Sequence, residues 1–135
     1  MLNSDCLFCK IVVGSIPSYK IYENEEVYAF LDIHPQSLGH TLIIPKKHSE
    51  NILDIDAENL AAVNQIAQKL ATAYQTILGA DGFVLKSHHN KIAGQEVNHF
   101  HLHLIPKYQN NSKNKGSQNK ESLEQLTQTI TSQLS

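Results

Sequence analysis

The chain of 135 residues contains no arginine, so all 11 of its basic residues are lysines. Arginine binds phosphate through two parallel hydrogen bonds, and without it a phosphate has to be held by lysine, histidine or backbone amides. The formal charge of -2 and the pI near 6.4 also argue against a nucleic-acid partner, because nucleic-acid-binding proteins present a strongly basic surface. Any anion site is therefore expected to be small and enclosed.

Cysteine is also scarce, and both copies lie in one Cys6-x-x-Cys9 segment near the N-terminus. The N-terminal residues include no basic leader, and their apolar runs are too short for a secretory signal or a membrane span. We therefore expect a cytoplasmic protein with no membrane partner. In a reducing compartment, such a pair of cysteines is more often half of a metal site or a redox pair than a structural disulfide.

Hydrophobic patterning divides residues 1–108 into several strands and one long helix. Asp56 is placed to cap the long helix, apolar residues follow it at helical spacing, and Gly79 ends it. The pattern alone predicts strands plus helices in one domain. The predicted strands are residues 19–22, 27–31, 41–44, 83–87 and 98–107.

The C-terminal part has a different composition. Residues 109–120 are rich in Asn, Ser, Lys, Gln and Gly, which predicts a mobile polar linker that buries little apolar surface. Residues 121–135 predict a short docked helix, because acidic residues fill its first turn and an apolar side chain recurs every three or four positions. The apolar positions are Leu123, Leu126, Ile130 and Leu134.

Three histidines recur at alternate positions of the apolar run His99-Phe100-His101-Leu102-His103. A β-strand sends alternate side chains to opposite faces, so the three imidazoles are expected on one face and the apolar side chains on the other. Imidazole titrates near neutral pH and serves as nucleophile, acid, base or metal ligand. The histidine face is therefore a candidate functional site.

This run and the segments around it resemble the signature of the histidine triad (HIT) family. Residues 94–105 are similar to the triad motif, residues 30–36 to the D-I-x-P-Q loop, and residues 40–48 to the segment H-x-L-x-I-P-K-x-H. The resemblance covers about residues 6 to 108. It implies a HIT-like α+β fold, in which a five-stranded antiparallel sheet carries the long helix. It also implies a homodimer formed through that helix and an adjacent strand.

The resemblance implies nucleotide chemistry. Family members hydrolyse or transfer a nucleoside monophosphate from an activated α-phosphate through a covalent nucleotidyl-histidine, and their central histidine, here His101, is the nucleophile. His103, His40 and the backbone near Gly94 and Gln95 would then stabilise charge on the phosphate oxygens. The function that this implies is a purine nucleoside phosphoramidase that hydrolyses a P–N bond and releases a nucleoside monophosphate.

The nucleotide-binding residues are also implied by motif match. Asp32, in the D-I loop, would bind the ribose hydroxyls. The base would lie in a pocket of four apolar residues, although core packing is the commoner role of any one of them. Those four residues are Phe8, Ile11, Phe30 and Ile33.

Two positions depart from the family pattern. His88 stands where the family usually has an asparagine that helps to bind the phosphate, and its imidazole still offers a hydrogen-bond donor. Glu96 stands where serine or threonine commonly contacts the phosphate or the leaving group. A carboxylate there would repel an anionic substrate, which suggests the hypothesis that Glu96 faces the leaving group and favours cationic ones such as lysine.

A structural zinc ion is implied by the same resemblance. Several bacterial members of the family carry an N-terminal C-x-x-C pair and hold zinc with it, with the histidine that ends H-x-L-x-I-P-K-x-H and with the first triad histidine. The matching residues here are Cys6, Cys9, His48 and His99. Four protein ligands leave no open position for water, so this zinc would be structural.

Three alternatives stay open at the level of the sequence. One is a dinucleoside polyphosphate hydrolase, which uses the same nucleophile with a different leaving group. A second is a hydrolase in which the three triad histidines bind a catalytic zinc. The third is a nucleotide-binding interaction module without catalysis, for which the departures at His88 and Glu96 speak.

Overall fold

A computed structural model describes residues 5–134 and confirms the expected α+β fold, with a five-stranded antiparallel sheet, one long helix and a C-terminal helix. The strands are β1 (Lys20–Glu23), β2 (Val27–Leu31), β3 (Thr41–Pro45), β4 (Gly82–Lys86) and β5 (Leu102–Lys107), and the helices are α1 (Leu7–Val12), α2 (Ala57–Ile77) and α3 (Lys120–Leu134). The strands follow the order β1-β2-β3-β5-β4 across the sheet.

The long helix α2 begins and ends as the sequence predicts. The Asp56 side chain accepts a hydrogen bond from the Asn59 backbone N–H at 2.7 Å, and the left-handed Gly79 (φ 73°) follows the last turn. At the sheet, the Thr41 hydroxyl donates to a backbone carbonyl, so the Tyr74 hydroxyl donates to Thr41 Oγ1 at 2.6 Å. This bond joins α2 to the start of β3.

The strands β2 and β3 are buried on both faces of the sheet. On one face α2 and α3 cover the larger hydrophobic core. On the other face the short helix α1 packs against β2 and β3, where Phe8 and Ile11 contact a second, smaller core. This smaller core lies beside the histidine rings, because its Phe8 ring packs against those of His99 and His101. Among the residues that the structure describes, no helix has the length and apolar character needed to cross a membrane.

The histidine strand is shorter than predicted. Strand β5 begins at Leu102, so only the last of the three histidines lies in it, and His99 and His101 precede it in irregular backbone. The reason is a long-range contact, because the Phe100 N–H donates to the Ser49 carbonyl at 2.7 Å instead of joining a strand ladder. The alternation nevertheless persists, since the apolar residues between the histidines pack into the larger core.

The predicted linker contacts the rest of the domain. It includes a 3-10 turn at Asn111–Asn114, and the Lys113 carbonyl accepts a hydrogen bond from the Leu38 N–H at 2.9 Å. The Lys113 ammonium donates to the Leu78 carbonyl at 3.1 Å. The composition of the segment does not predict these contacts, because they are hydrogen bonds and not apolar burial. Helix α3 then docks through the buried Ile130 and other apolar residues of the predicted stripe.

Candidate functional site

A cavity of about 510 Å³ opens on the face of the sheet that α1 covers. Its volume lies in the range of small-molecule sites, on the order of 300–1,000 Å³. Every predicted catalytic and nucleotide-binding residue except Gln95 lines it. These lining residues are Phe8, Ile11, Phe30, Asp32, Ile33, His40, His88, Gly94, Glu96, His101 and His103.

Gln95 shapes the neighbouring loop. Its buried side chain donates to the Glu50 carbonyl at 2.6 Å and accepts from the Asn90 N–H at 2.8 Å. The backbone amides of Gly94 and Gln95, which we expected to donate to a phosphate, donate to the carbonyls of Lys91 and Asn90 in this structure. The donors that face the cavity are therefore mainly side chains.

His101 has its ring orientation and tautomer set by one hydrogen bond. Its Nδ1–H donates to the His99 carbonyl at 2.7 Å, which leaves a lone pair on Nε2. The ring is buried, and the Phe8 ring packs against it edge-on with centroids 5.1 Å apart. Burial lowers the pKa of His101, so the neutral form is favoured. A neutral imidazole with an available Nε2 is a competent nucleophile.

His40 and His103 form a hydrogen-bonded pair beside it. The Gln36 N–H donates to His40 Nδ1 at 3.0 Å, so a neutral His40 carries its proton on Nε2. That proton is donated to His103 Nδ1 at 3.0 Å, which places the proton of His103 on Nε2. Burial lowers the pKa of both rings, and that of His103 falls to about 3. The pair therefore ends in a polarised neutral N–H donor near His101.

Asp32 completes this group from the loop between β2 and β3. One carboxylate oxygen accepts from the His34 N–H at 2.8 Å, and the other lies 3.5 Å from His40 Nε2. The ligand atoms of Asp32, His40 and His103 lie within 4.8 Å of one another, a spacing that a metal ion could bridge. However, the Gln36 N–H keeps the proton of His40 on Nε2, so this nitrogen is a donor. The group is thus better described as a hydrogen-bonded relay than as a metal site.

The four predicted zinc ligands also come together. His99 Nδ1 lies 3.2 Å from Cys6 Sγ and 3.5 Å from Cys9 Sγ, and His48 Nδ1 lies 3.4 Å from Cys9 Sγ. A tetrahedral zinc site with bonds of about 2.0–2.3 Å has ligand-to-ligand distances of about 3.3–3.8 Å. The donor set therefore fits zinc. Burial raises the pKa of the Cys6 thiol, an effect that a bound cation would oppose by stabilising the thiolate.

Phe8 connects this group of two cysteines and two histidines to the cavity. It lies between the two cysteines in the sequence, and its ring packs edge-on against His99 and His101, with centroids 5.9 and 5.1 Å away. Its third ring neighbour is Phe30, with centroids 5.5 Å apart, and both phenylalanines line the cavity. The position of α1 therefore affects the apolar end of the cavity and the ring of His101 together.

A further histidine, His88, lines the cavity next to the triad. Its ring centroid is 5.4 Å from that of His103, and it lies beside Gly94, which adopts a left-handed conformation (φ 100°). His88 Nδ1 is buried and makes no hydrogen bond with any residue in the described range 5–134. Its hydrogen-bonding capacity is thus unused by the surrounding protein.

Two side chains of opposite charge line the same cavity. Glu96 is exposed, and Lys86 is half-buried at the end of β4, directly opposite His103 in the sheet register. Sequence reasoning did not identify Lys86. The signal that could have revealed it is a lysine at the end of an apolar strand that pairs with the histidine strand.

Comparison with known proteins places these observations in one family. The family model of the HIT domain matches residues 13–110. An uncharacterised HIT-like protein of Mycoplasma genitalium is 46% identical over 131 residues, which cover 95% of this chain and 93% of that protein. An adenosine 5'-monophosphoramidase of Saccharomyces cerevisiae is 46% identical over 106 residues, which cover 78% of this chain and 65% of that protein.

Solved structures give the same result for the fold. A Hit-like protein from Bartonella henselae superposes with a TM-score of 0.87 at 36% identity, covering 98% of this chain and 99% of that one. A zinc-bound histidine triad family protein from Mycobacterium smegmatis superposes with a TM-score of 0.86 at 34% identity, covering 96% of this chain and 92% of that one. The sequence similarity and the structural similarity therefore agree.

Proposed function

Because this chain belongs to the HIT family, we propose that it is a nucleotide hydrolase that cleaves the P–N bond of purine nucleoside phosphoramidates and releases the nucleoside monophosphate. The observation that carries the proposal is the pair of tautomers in the cavity. His101 presents an unprotonated Nε2, and His103 presents a protonated one beside it. The 46% identity to a yeast protein named adenosine 5'-monophosphoramidase supports a P–N substrate.

The cavity suggests how the nucleotide is held. Its apolar end, which includes Ile11, Phe30 and Ile33, would contact the flat faces of a purine. The Asp32 carboxylate, which the His34 N–H orients, would accept hydrogen bonds from the ribose hydroxyls. This arrangement would direct the α-phosphate towards the histidines.

The reaction would proceed in two displacements at phosphorus. In the first, His101 Nε2 forms a bond to the α-phosphorus and the bond to the leaving nitrogen breaks, which gives a nucleotidyl-histidine. The His99 carbonyl stabilises the imidazolium through Nδ1–H. The His103 N–H, polarised by His40, stabilises charge on a phosphate oxygen, a contribution of roughly 10²–10³ in rate for one well-placed donor. In the second displacement water replaces His101 and releases the monophosphate.

We also propose that Cys6, Cys9, His48 and His99 hold a structural zinc ion. The His99 Nε2–H donates to the Pro45 carbonyl at 2.8 Å, which leaves Nδ1 unprotonated and directed at the two sulfurs. A metal in this closed set of four ligands supplies no chemistry to the reaction. Its ligands would instead fix α1, and with it Phe8, against the segment that carries His101.

A homodimer is the proposed assembly. Strand β4 lies at one edge of the sheet, and its residues Val84 and Leu85 are 40% and 51% exposed. An uncovered apolar edge strand is a natural site for pairing with a second copy.

The half-buried Lys86 at the end of strand β4 favours a second candidate function, dinucleoside polyphosphate hydrolysis, because a cation at the cavity suits a polyphosphate leaving group.

The proposal is tested by mass spectrometry of protein quenched during turnover of an adenosine phosphoramidate. We expect a nucleotidyl adduct on a peptide in which His101 is modified, and none with His101→Ala. The matched control is His89→Ala, which changes an exposed histidine outside the cavity lining. An adduct on another histidine, or turnover by His101→Ala at the wild-type rate, would overturn the assignment. A parallel assay with a dinucleoside tetraphosphate separates the two candidate substrates.

A further inference from the structure

The proposed reaction needs a proton that the triad does not provide. An amine leaves phosphorus readily only if its nitrogen is protonated as the P–N bond breaks. The single N–H of neutral His101 is donated to the His99 carbonyl, and the single N–H of His40 is donated to His103. His103 has its pKa lowered to about 3 by burial and by its neighbouring histidines, so it is neutral and has no extra proton to give.

Two further imidazoles line the cavity, those of the exposed His34 and the half-buried His88. His88 is the better placed for this role, because its ring lies beside a triad ring. It lines the cavity with His101 and His103, and its ring lies 5.4 Å from the ring of His103. Its loop is held in place from behind, because the Gln95 side chain accepts from the Asn90 N–H at 2.8 Å.

Two features leave the His88 ring available to a substrate. Gly94 has no side chain to cover it, and a Cβ at this position would lie 3.7 Å from His88 Cδ2 and Nε2. His88 Nδ1 is buried without a hydrogen-bond partner in the described part of the chain, although buried polar atoms are normally paired. No described protein group is bonded to Nδ1, and the ring edge with Nε2 lies beside Gly94, so Nε2 is the nitrogen that can meet a bound molecule.

The groups around His88 are mixed in charge. His101 and His103 approach it from the β5 segment, Lys86 lines the cavity from β4, Glu96 lines it from the adjoining loop, and Asp32 lies on the β2–β3 side. Protonated His88 would therefore be one of several charges around the substrate phosphate.

We propose that His88 is the general acid that protonates the leaving amine and then the general base that activates water, an inference that rests on the proposed phosphoramidase function. In the first displacement the bond from His101 Nε2 to phosphorus forms, the P–N bond to the amine breaks, and the His88 imidazolium transfers its proton to the departing nitrogen. In the second, the water oxygen bonds to phosphorus, the bond to His101 breaks, and neutral His88 takes the water proton. Each cycle returns both histidines to their starting states.

The test compares leaving groups that do and do not need an acid. His88→Asn and the matched control His89→Asn are assayed with an adenosine phosphoramidate of an alkylamine and with the 4-nitrophenyl ester of adenosine monophosphate. For His88→Asn we expect kcat/KM to fall by about 10²-fold or more with the alkylamine substrate. The decrease with the nitrophenyl ester should be less than about threefold, because nitrophenolate leaves without a proton. His89 is exposed and lies outside the cavity lining, so His89→Asn should match the wild type on both substrates.

A second variant tests whether the loss depends on the length of the side chain. His88→Gln, like His88→Asn, retains an N–H donor but has no proton to transfer, so it should show the same selective loss. Equal losses of both variants on the two substrates would indicate a structural or phosphate-binding role and would overturn the inference, as would full activity of His88→Gln with the alkylamine. A wild-type protein that cleaves the ester but no phosphoramidate would instead overturn the proposed function, and the inference would fall with it.

Discussion

The backbone carbonyl of His99 accepts the Nδ1–H of His101 at 2.7 Å, while the ring of His99 faces the two cysteines. One residue thus belongs to the proposed zinc site through its side chain and orients the proposed nucleophile through its backbone. Two histidines that are equivalent in the sequence pattern therefore have different surroundings. Disturbing the proposed zinc site should change the geometry around His101 without removing its reactive nitrogen.

Loss of a metal ligand should therefore weaken substrate binding and stability but preserve covalent chemistry. We expect Cys9→Ala to lose one equivalent of bound zinc per chain, to raise KM for an adenosine phosphoramidate by roughly tenfold, and still to form the adduct on His101. The free energy of unfolding should decrease by about 2 kcal/mol or more. Elemental analysis, steady-state kinetics and urea unfolding measure the three effects, with His89→Ala as the control. Complete loss of the adduct in Cys9→Ala would show that the metal takes part in the chemistry.

Protonation of His103 should destabilise the fold at acidic pH. Burial lowers the pKa of this side chain to about 3, whereas an unfolded histidine titrates near about 6.5, so between these values the unfolded state binds more protons. Its contribution to stability is complete above pH ~6.5 and is lost as the pH falls towards about 3, by at most about 1.4 kcal/mol per pH unit.

Replacement of His103 with Gln removes this titration. Urea unfolding between pH ~7 and ~4 should therefore show a shallower loss of stability in His103→Gln than in the wild type. Release of the proposed zinc ion at low pH would affect both proteins, so the difference between them isolates His103. Parallel curves for the two proteins would contradict the prediction.

The loop that carries Asp32 and His40 should depend on the close approach of Gly116. A Cβ at Gly116 would collide with the carbonyl oxygen of Pro35, so Gly116→Ala has to displace that loop or the C-terminal segment. We expect a loss of about 1–3 kcal/mol in stability and a KM that rises more than kcat falls. Gly82→Ala is the matched control, because a Cβ there meets nothing within 4 Å. The same result for both alanine variants would contradict a positioning role for the segment.

The parts of the fold that the sequence predicts are those specified by local signals. The cap at Asp56 and the left-handed residue at Gly79 act within one turn of α2, and both are where the sequence places them. The predicted start of the histidine strand was wrong, because the true start depends on a hydrogen bond from the Phe100 N–H to the Ser49 carbonyl, 51 positions away. No local pattern encodes such a contact.

The same distinction applies to the candidate site. The triad and the cysteine pair were recognisable because they match family motifs, although only His103 of the triad lies in a strand. Gln95 was predicted near the phosphate, whereas its partners are the Glu50 carbonyl and the Asn90 N–H, which only the folded loops bring together. Lys86 was missed because its relation to the cavity results from strand pairing with His103.

The charge of Glu96 should influence the choice of leaving group. The side chain is exposed at the cavity, so its effect is that of a screened charge, about 0.2–1 kcal/mol. We expect Glu96→Gln to lower kcat/KM for a lysyl phosphoramidate by about twofold to fivefold relative to kcat/KM for a phosphoramidate with an uncharged leaving group. Added salt should reduce this difference between the two substrates. Lys86→Gln should shift the preference in the opposite direction. Equal effects of Glu96→Gln on the charged and the uncharged substrate would show that this carboxylate points away from the leaving group.

The exposed edge of β4 should control the assembly state. Val84 is 40% exposed and Leu85 is 51% exposed on an edge strand that has free backbone groups for pairing. A charge placed in a closed apolar interface is unpaired and desolvated, so Leu85→Lys should raise the dimer dissociation constant by about tenfold or more. Light scattering coupled to size exclusion measures this shift. Leu53→Lys is the control, because Leu53 is 74% exposed in the loop before α2 and lies outside the edge strand. If Leu85→Lys leaves the mass unchanged, the two copies do not associate through β4.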